Sequence, residues 1–183
     1  MFKRTLTAAL LSFPLLASAA TYTHIDSSKS QIQFHYEQMG VNMDGVFTGF
    51  NGNIHFDSAD ASKAKVQLHV QLNSVDTGSD DADAEVIKPE WFNAAAHPDA
   101  VFTATSIEVK ADNEFEVVGQ LTIKGHEQEI RFPATLNETE NTATFTGSFS
   151  LLRGDYAIGE GAWSKFDIVA NDIRVDFKIV ATE

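Results

Sequence analysis

The chain contains no cysteine among its 183 residues. That absence excludes disulfides, thiol catalysis, cysteine-based metal centres and lipoprotein acylation, so the fold must be held by its core. Basic residues are scarce: 13 Lys and Arg stand against 26 Asp and Glu, a formal net charge of −13. Such a surface repels nucleic acid and anionic lipid headgroups, and neither is expected as a partner. Apolar runs long enough to cross a bilayer are also missing. The longest, residues 5–16, follows Lys3 and Arg4 and precedes Ala17-Ser18-Ala19. This order is expected of a secretory signal at residues 1–19, cleaved there or after Ala20, leaving residues 20–183 as one exported, periplasmic domain that does not span the membrane. Gly-x-Ser-x-Gly and phosphate-binding glycine loops are absent, so no nucleophile elbow or nucleotide site is expected.

What the chain does have is alternation. Val66, Leu68, Val70 and Leu72 interleave with Lys65, Gln67, His69 and Gln71. The same period of two runs through 115–123, 130–136, 143–151 and 173–179. Successive strand residues point to opposite faces, so each run has one apolar and one wet face. Further strands fit at Gln31–Tyr36, Val46–Asp57 and Val101–Val109, making about eight in all. Turn signals at 57–60, 111–113, 124–126 and 137–141 separate them. The reading is all-β and antiparallel, and composition leaves open whether the strands pack as a sandwich or close as a barrel. One segment breaks the pattern: the acids that follow Gly78 favour a helix start, and Pro89 is expected to open a second helical turn carrying Trp91 and Phe92.

Candidate chemistry is thin. "DDADAE" at 80–85 lacks the glycine turn and distal Glu of a calcium loop. A hairpin centred on Ser62 would place Ile54 opposite Val70, Phe56 opposite Leu68 and His55 opposite His69, a pair that is either solvated or a weak two-ligand metal site. Near the end of an inward row stands Arg153-Gly154-Asp155, a triplet open to three readings. It is an exposed adhesion tag, a buried ion pair, or, with Tyr156, the polar end of an apolar cavity. Small residues at Gly119, Ala134, Ala143 and Gly147 could leave room inside beside Phe50, Phe56, Phe145 and Phe149. The alternative is a solid core.

Five stretches together resemble the YceI-like family of secreted, lipocalin-like proteins: "THIDSSKSQIQFHYEQMG", "GVFTGFNGNIHFD", "VQLNSVDTGSDDADAEVIKPEWFNAAAHPDAVFTATS", "VVGQLTIKGHEQEI" and "LLRGDYAIGEGAW". The resemblance implies an eight-stranded antiparallel barrel whose apolar interior holds a polyisoprenoid lipid, such as a polyprenyl quinone or its precursor, in the periplasm. It implies no cofactor, metal or catalytic residue. The chain departs from the family pattern at Ser28-Lys29-Ser30, Gln38-Met39-Gly40 and Asp81–Glu85, where the family carries histidines or an Arg-Asp-x-His-Leu run.

On this reading the lining is expected from Phe34, Val46, Phe50, Ile54, Phe56, Leu68 and Val70, then from Leu121, Phe145, Phe149 and Phe177, with Trp91 and Phe92 at one end. Arg153 and Tyr156 would form the polar end. Two rivals stand beside it: a hydrolase or isomerase using His35 inside the barrel, and a secreted stress-related interaction protein displaying Arg153–Asp155. Oligomeric state is open, a homodimer included.

Overall fold

The computed structural model describes residues 20–139 and 141–183, so the expected signal at 1–19 lies outside the described residues. The chain order is β1 (Thr21–Tyr22), β2 (His24–Ile25), β3 (Gln31–Gln38), β4 (Val41–Phe47), β5 (Phe50–Asp57), β6 (Lys65–Gln71) and β7 (Val75–Asp76). After these come α1 (Asp80–Val86), β8 (Asp99–Ala111), β9 (Glu114–Ile123), β10 (His126–Glu138), β11 (Thr142–Leu152) and β12 (Asp172–Thr182).

All strands join one antiparallel sheet, ordered β1-β5-β6-β8-β9-β10-β11-β12-β3-β4-β7. Its two ends belong together. β4 and β5 lie near opposite ends of the pairing order, yet only Thr48 and Gly49 separate them in the chain. At the other end of β5, the segment that holds β1 and β2 bridges β5 to β12. The sheet therefore curls into a barrel, as an antiparallel sheet with one apolar face must do to hide that face.

The inward rows follow parity. Phe149 pairs with Val175, Phe177 with Ile32, and Val70 with Ala100. Tight turns set the registers: Lys124-Gly125 and Met39-Gly40 each take φ > 0 at both positions, the two-residue hairpin geometry that matches strand twist. β8 is longer than its neighbours because two bulges shift its register against β9.

Two expectations are corrected. The stretch Val46–Asp57 is not one strand. It bends at Thr48-Gly49, and its first arm belongs to a β3–β4 hairpin hidden by weak alternation in "VNMDGVF". The β5–β6 hairpin centres on Asp60 rather than Ser62, because a 3-10 turn at Ala61–Lys63 takes up residues on one side. Ile54 thus faces Val66, Phe50 faces Val70, and Gly52 faces Leu68. The helical turn expected at Pro89 is a single tight turn, closed by the Trp91 amide donating to the Lys88 carbonyl at 3.0 Å.

Candidate ligand cavity

Two chambers occupy the barrel in series. The inner one, about 140 Å³, is walled entirely by apolar side chains, among them Ile54, Phe56, Val66, Leu68, Phe145 and Phe177. The outer one, about 660 Å³, is bounded by the upper strand ends, α1 and the loops around it. Ile32, Val70, Ala100, Leu121, Phe149 and Val175 line both. These six come from β3, β6, β8, β9, β11 and β12, so they form a collar around the barrel axis. The outer volume lies within the usual range for a ligand site, roughly 300–1,000 Å³.

The inner chamber ends at a packed aromatic floor. The Phe56 ring meets Phe145 edge-on at 4.9 Å and Phe115 at 5.9 Å, with Tyr22 behind it at 6.5 Å. The outer chamber reaches solvent between Ser79, Asp81 and Gln38. Trp91, Phe92 and Trp163 form part of its rim, with the two indoles 5.3 Å apart.

Small inward residues do not simply leave space. A Cβ on Gly147 would stand 2.6 Å from the Phe177 ring, on Gly45 2.2 Å from Phe34, and on Gly119 2.4 Å from Phe102. Each glycine gives a neighbouring ring its seat, which lets large rings lie flat on the wall instead of crossing the lumen.

Most expected lining residues border the chambers: Ile54, Phe56, Phe145 and Phe177 the inner one, Leu68 likewise, and Phe34, Trp91 and Phe92 the outer one, with Val70, Leu121 and Phe149 in the collar. Two do not. Val46 pairs with Gln33 and Asp76 on the outward row, and Phe47 takes the inward place. Phe50 is buried in a side cluster with Ile32 and Ile179, off the cavity surface. Tyr36, Ile158, Trp163 and Val169 complete the outer wall. Of these, Ile158, Trp163 and Val169 lie in an irregular loop that carries no periodicity to read.

Arg153 borders the outer chamber and is only 1% exposed. Its guanidinium meets no carboxylate among the described residues. Nε donates to the Ala170 carbonyl at 3.1 Å; Nη1 donates to Ile158 at 2.7 Å and Gly159 at 3.2 Å. Nη2 is within 2.9–3.1 Å of the Trp163, Lys165 and Val169 carbonyls. All five N–H groups are therefore committed to backbone. The cation also lies 4.8 Å from the centre of the Phe166 ring and 5.6 Å from that of Trp91. Burial pulls its pKa down from the ordinary arginine value. Neither an ion pair nor a headgroup contact describes it: Arg153 is the peg around which residues 157–170 wrap. Burial also removes its side chain from any receptor that would read the adhesion triplet.

Tyr156 belongs to the core, 1% exposed and off the cavity wall, with a buried hydroxyl that meets no partner among the described residues. Burial, aided by Asp155, pushes its pKa up to about 12. His35 lies on the outer face between Asp44 and Asp176, its Nε2 2.9 Å from the latter, while its neighbours Phe34 and Tyr36 line the chamber. His55 pairs with Lys65 and His69 with Asn51, so the two histidines are not partners. No cluster of three or more metal-ligating side chains occurs among the described residues.

An antiparallel barrel enclosing an elongated apolar cavity defines a class of small lipid- and hydrophobe-binding domains. The chain belongs to the YceI-like domain family, whose model matches residues 23–181. It is 29% identical over 180 residues to a UPF0312 protein of Shewanella denitrificans, covering 91% of this chain and 94% of that one. Protein YceI of Salmonella arizonae is 31% identical over 133 residues, 71% of this chain and 69% of that protein. Among solved structures, BcnA of Burkholderia cenocepacia superposes with a TM-score of 0.83 at 32% identity, over 86% of this chain and 99% of that one. A polyisoprenoid binding domain from Saccharophagus degradans shares the fold with a TM-score of 0.71 at 17% identity, over 89% and 99% of the two chains. Among the described residues, no helix is long and apolar enough to cross a membrane.

Proposed function

We propose that this protein is a periplasmic carrier that holds a polyisoprenoid lipid, a polyprenyl quinone or its precursor, without transforming it. One observation carries the reading: two chambers in series, the inner one without a single polar wall residue. Such a space suits a long unbranched or methyl-branched chain. Each buried CH₂ contributes about 0.8 kcal/mol, so a five-carbon unit contributes about 4 kcal/mol. Several units together exceed the roughly 4–15 kcal/mol cost of association. The domain from Saccharophagus degradans, described as polyisoprenoid binding, has the same fold and supports the same ligand class. His35, the strand candidate for a barrel-based hydrolase or isomerase, faces out, which favours the binding reading.

The test is extraction of the purified protein and mass spectrometry of the extract. A prenyl chain is expected from several expression hosts; recovery of buffer components alone would overturn the reading. A second measurement uses Ala100, which belongs to the collar and is 7% exposed. Ala100→Trp should close the passage between the chambers and shorten the chain retained, at a stability cost of about 1–3 kcal/mol from overpacking.

A further inference from the structure

Resting on the lipid-binding reading, we propose that the mouth selects its ligand by headgroup charge: an uncharged or cationic head is admitted, and a phosphorylated head is refused. Beside the Tyr36 hydroxyl and the indole N–H groups of Trp91 and Trp163, the polar side chains of the outer wall are Gln38, Thr77, Ser79, Asp81, Glu85 and Arg153. Arg153 is the one cation among them, and its five N–H groups are already taken by backbone carbonyls. A phosphate arriving at Arg153 would find positive charge but no free guanidinium N–H. The unpartnered indole N–H of Trp91 on the same wall is an uncharged donor, which a hydroxyl head or a quinone carbonyl can use without bringing a negative charge to the mouth.

The nearby lysines are committed as well. Lys124 donates to the Ala157 carbonyl at 2.7 Å and to Glu160 at 2.6 Å, and Lys88 pairs with Glu85; neither lysine lines the chamber. The opening turn of α1 holds Asp80, Asp81 and Asp83. Asp83 accepts from the Thr77 amide at 2.8 Å and hydroxyl at 2.7 Å, which ties the helix to the wall. Asp81 lines the chamber, is exposed at its rim, and forms no ion pair among the described residues. A phosphate held at this height would face the like charges of Asp81 and Glu85 in a half-desolvated site, and would lose hydration that a single neutral donor does not replace. A protonated amine or a hydroxyl would instead donate to Asp81, Glu85 or the Gln38 side-chain carbonyl.

Three probes with one tail separate head from tail: farnesylamine, farnesol and farnesyl phosphate. Binding to the full chain is read from Trp91 and Trp163, the chain's two tryptophans, both on the outer wall. The amine should bind tightest and the alcohol next, with the phosphate at least about tenfold weaker than the alcohol. In the double variant Asp81→Asn/Glu85→Gln the phosphate should gain at least about threefold, the amine should lose by a similar factor, and the alcohol should stay within about twofold. A phosphate as tight as the alcohol, an amine no tighter than the alcohol, or a variant that leaves the order unchanged overturns the selection rule alone. Failure of all three probes to bind overturns the lipid reading itself.

Discussion

The closed end of the barrel and its mouth are built from the same chain by different means. At the closed end every structural group is a strand residue or an aromatic ring: Phe56, Phe115, Phe145 and Tyr22 interlock, with Ala143 and Ala181 fully buried beside them. Burial of apolar area holds that end, and no side chain there is indispensable by geometry. At the mouth the chain leaves the sheet between Arg153 and Ala170, and its carbonyls need partners that no ladder supplies. One guanidinium provides six such contacts, and Lys124 meets the Ala157 carbonyl. Gly159, at φ +80°, permits the approach, because a Cβ there would stand 2.1 Å from Arg153 Nη1. The difference teaches that the floor is maintained by packing and the mouth chiefly by one hub, with Lys124 bracing Ala157 and Glu160 beside it.

Removing the hub should therefore give the largest effect. Arg153→Met keeps much of the stem volume and deletes every donor, leaving six carbonyl contacts unmet. Each buried orphan costs about 1–3 kcal/mol unless water reaches it. A loss of about 4 kcal/mol or more is expected in urea unfolding, with faster amide exchange confined to residues 157–170. A variant with uniform loosening of floor and mouth would break the comparison.

Phe56→Ala comes second. It removes the ring around which the floor aromatics gather, for a cost of about 3–5 kcal/mol, less where neighbours relax into the gap. The strands around it keep their ladders, so exchange in 157–170 should not change. The inner chamber should deepen, and the mass spectrum of the extracted lipid should shift toward longer tails. A floor variant that instead frees the mouth loop would show that the two ends are coupled.

The floor was also the more legible of the two in sequence. Rows such as 115–123 and 143–151 state their inward face by parity alone, and the ring positions at 145, 149 and 177 follow directly. Errors arose where parity is interrupted. Val46 reads as inward because the corner at Thr48-Gly49 lies inside what looks like one strand, and a shift by one residue exchanges faces. The hairpin centre moved from Ser62 to Asp60 because a 3-10 turn has no hydrophobic period. Parity points Arg153 inward, yet parity does not show its role. Its partners are main-chain carbonyls five to seventeen residues ahead, and backbone atoms leave no mark in a sequence. Glycines read as empty space turned out to seat rings, since a one-dimensional pattern does not show which neighbour leans over a missing side chain.

The smallest effect concerns two tyrosines, one per region, and it distinguishes their environments. Burial is the main cause that raises Tyr22 to about 12 at the floor, helped by Glu138; burial with Asp155 raises Tyr156 to about 12 near the mouth. A phenol whose folded pKa exceeds its unfolded value, about 10, contributes stability that is fully present below pH 10. That contribution declines as pH rises from 10 to 12, because the unfolded chain releases its proton first. Tyr156→Phe should remove the mouth tyrosine's share of the alkaline decline and leave the share due to Tyr22. At pH 7 the same variant should be neutral or up to about 1 kcal/mol more stable, since the hydroxyl it deletes is buried without a partner among the described residues. Urea midpoints at pH 7 and pH 11 measure both. A clear loss at pH 7 would mean that the hydroxyl is bound, and the mouth would then have a further polar anchor beside Arg153 and Lys124.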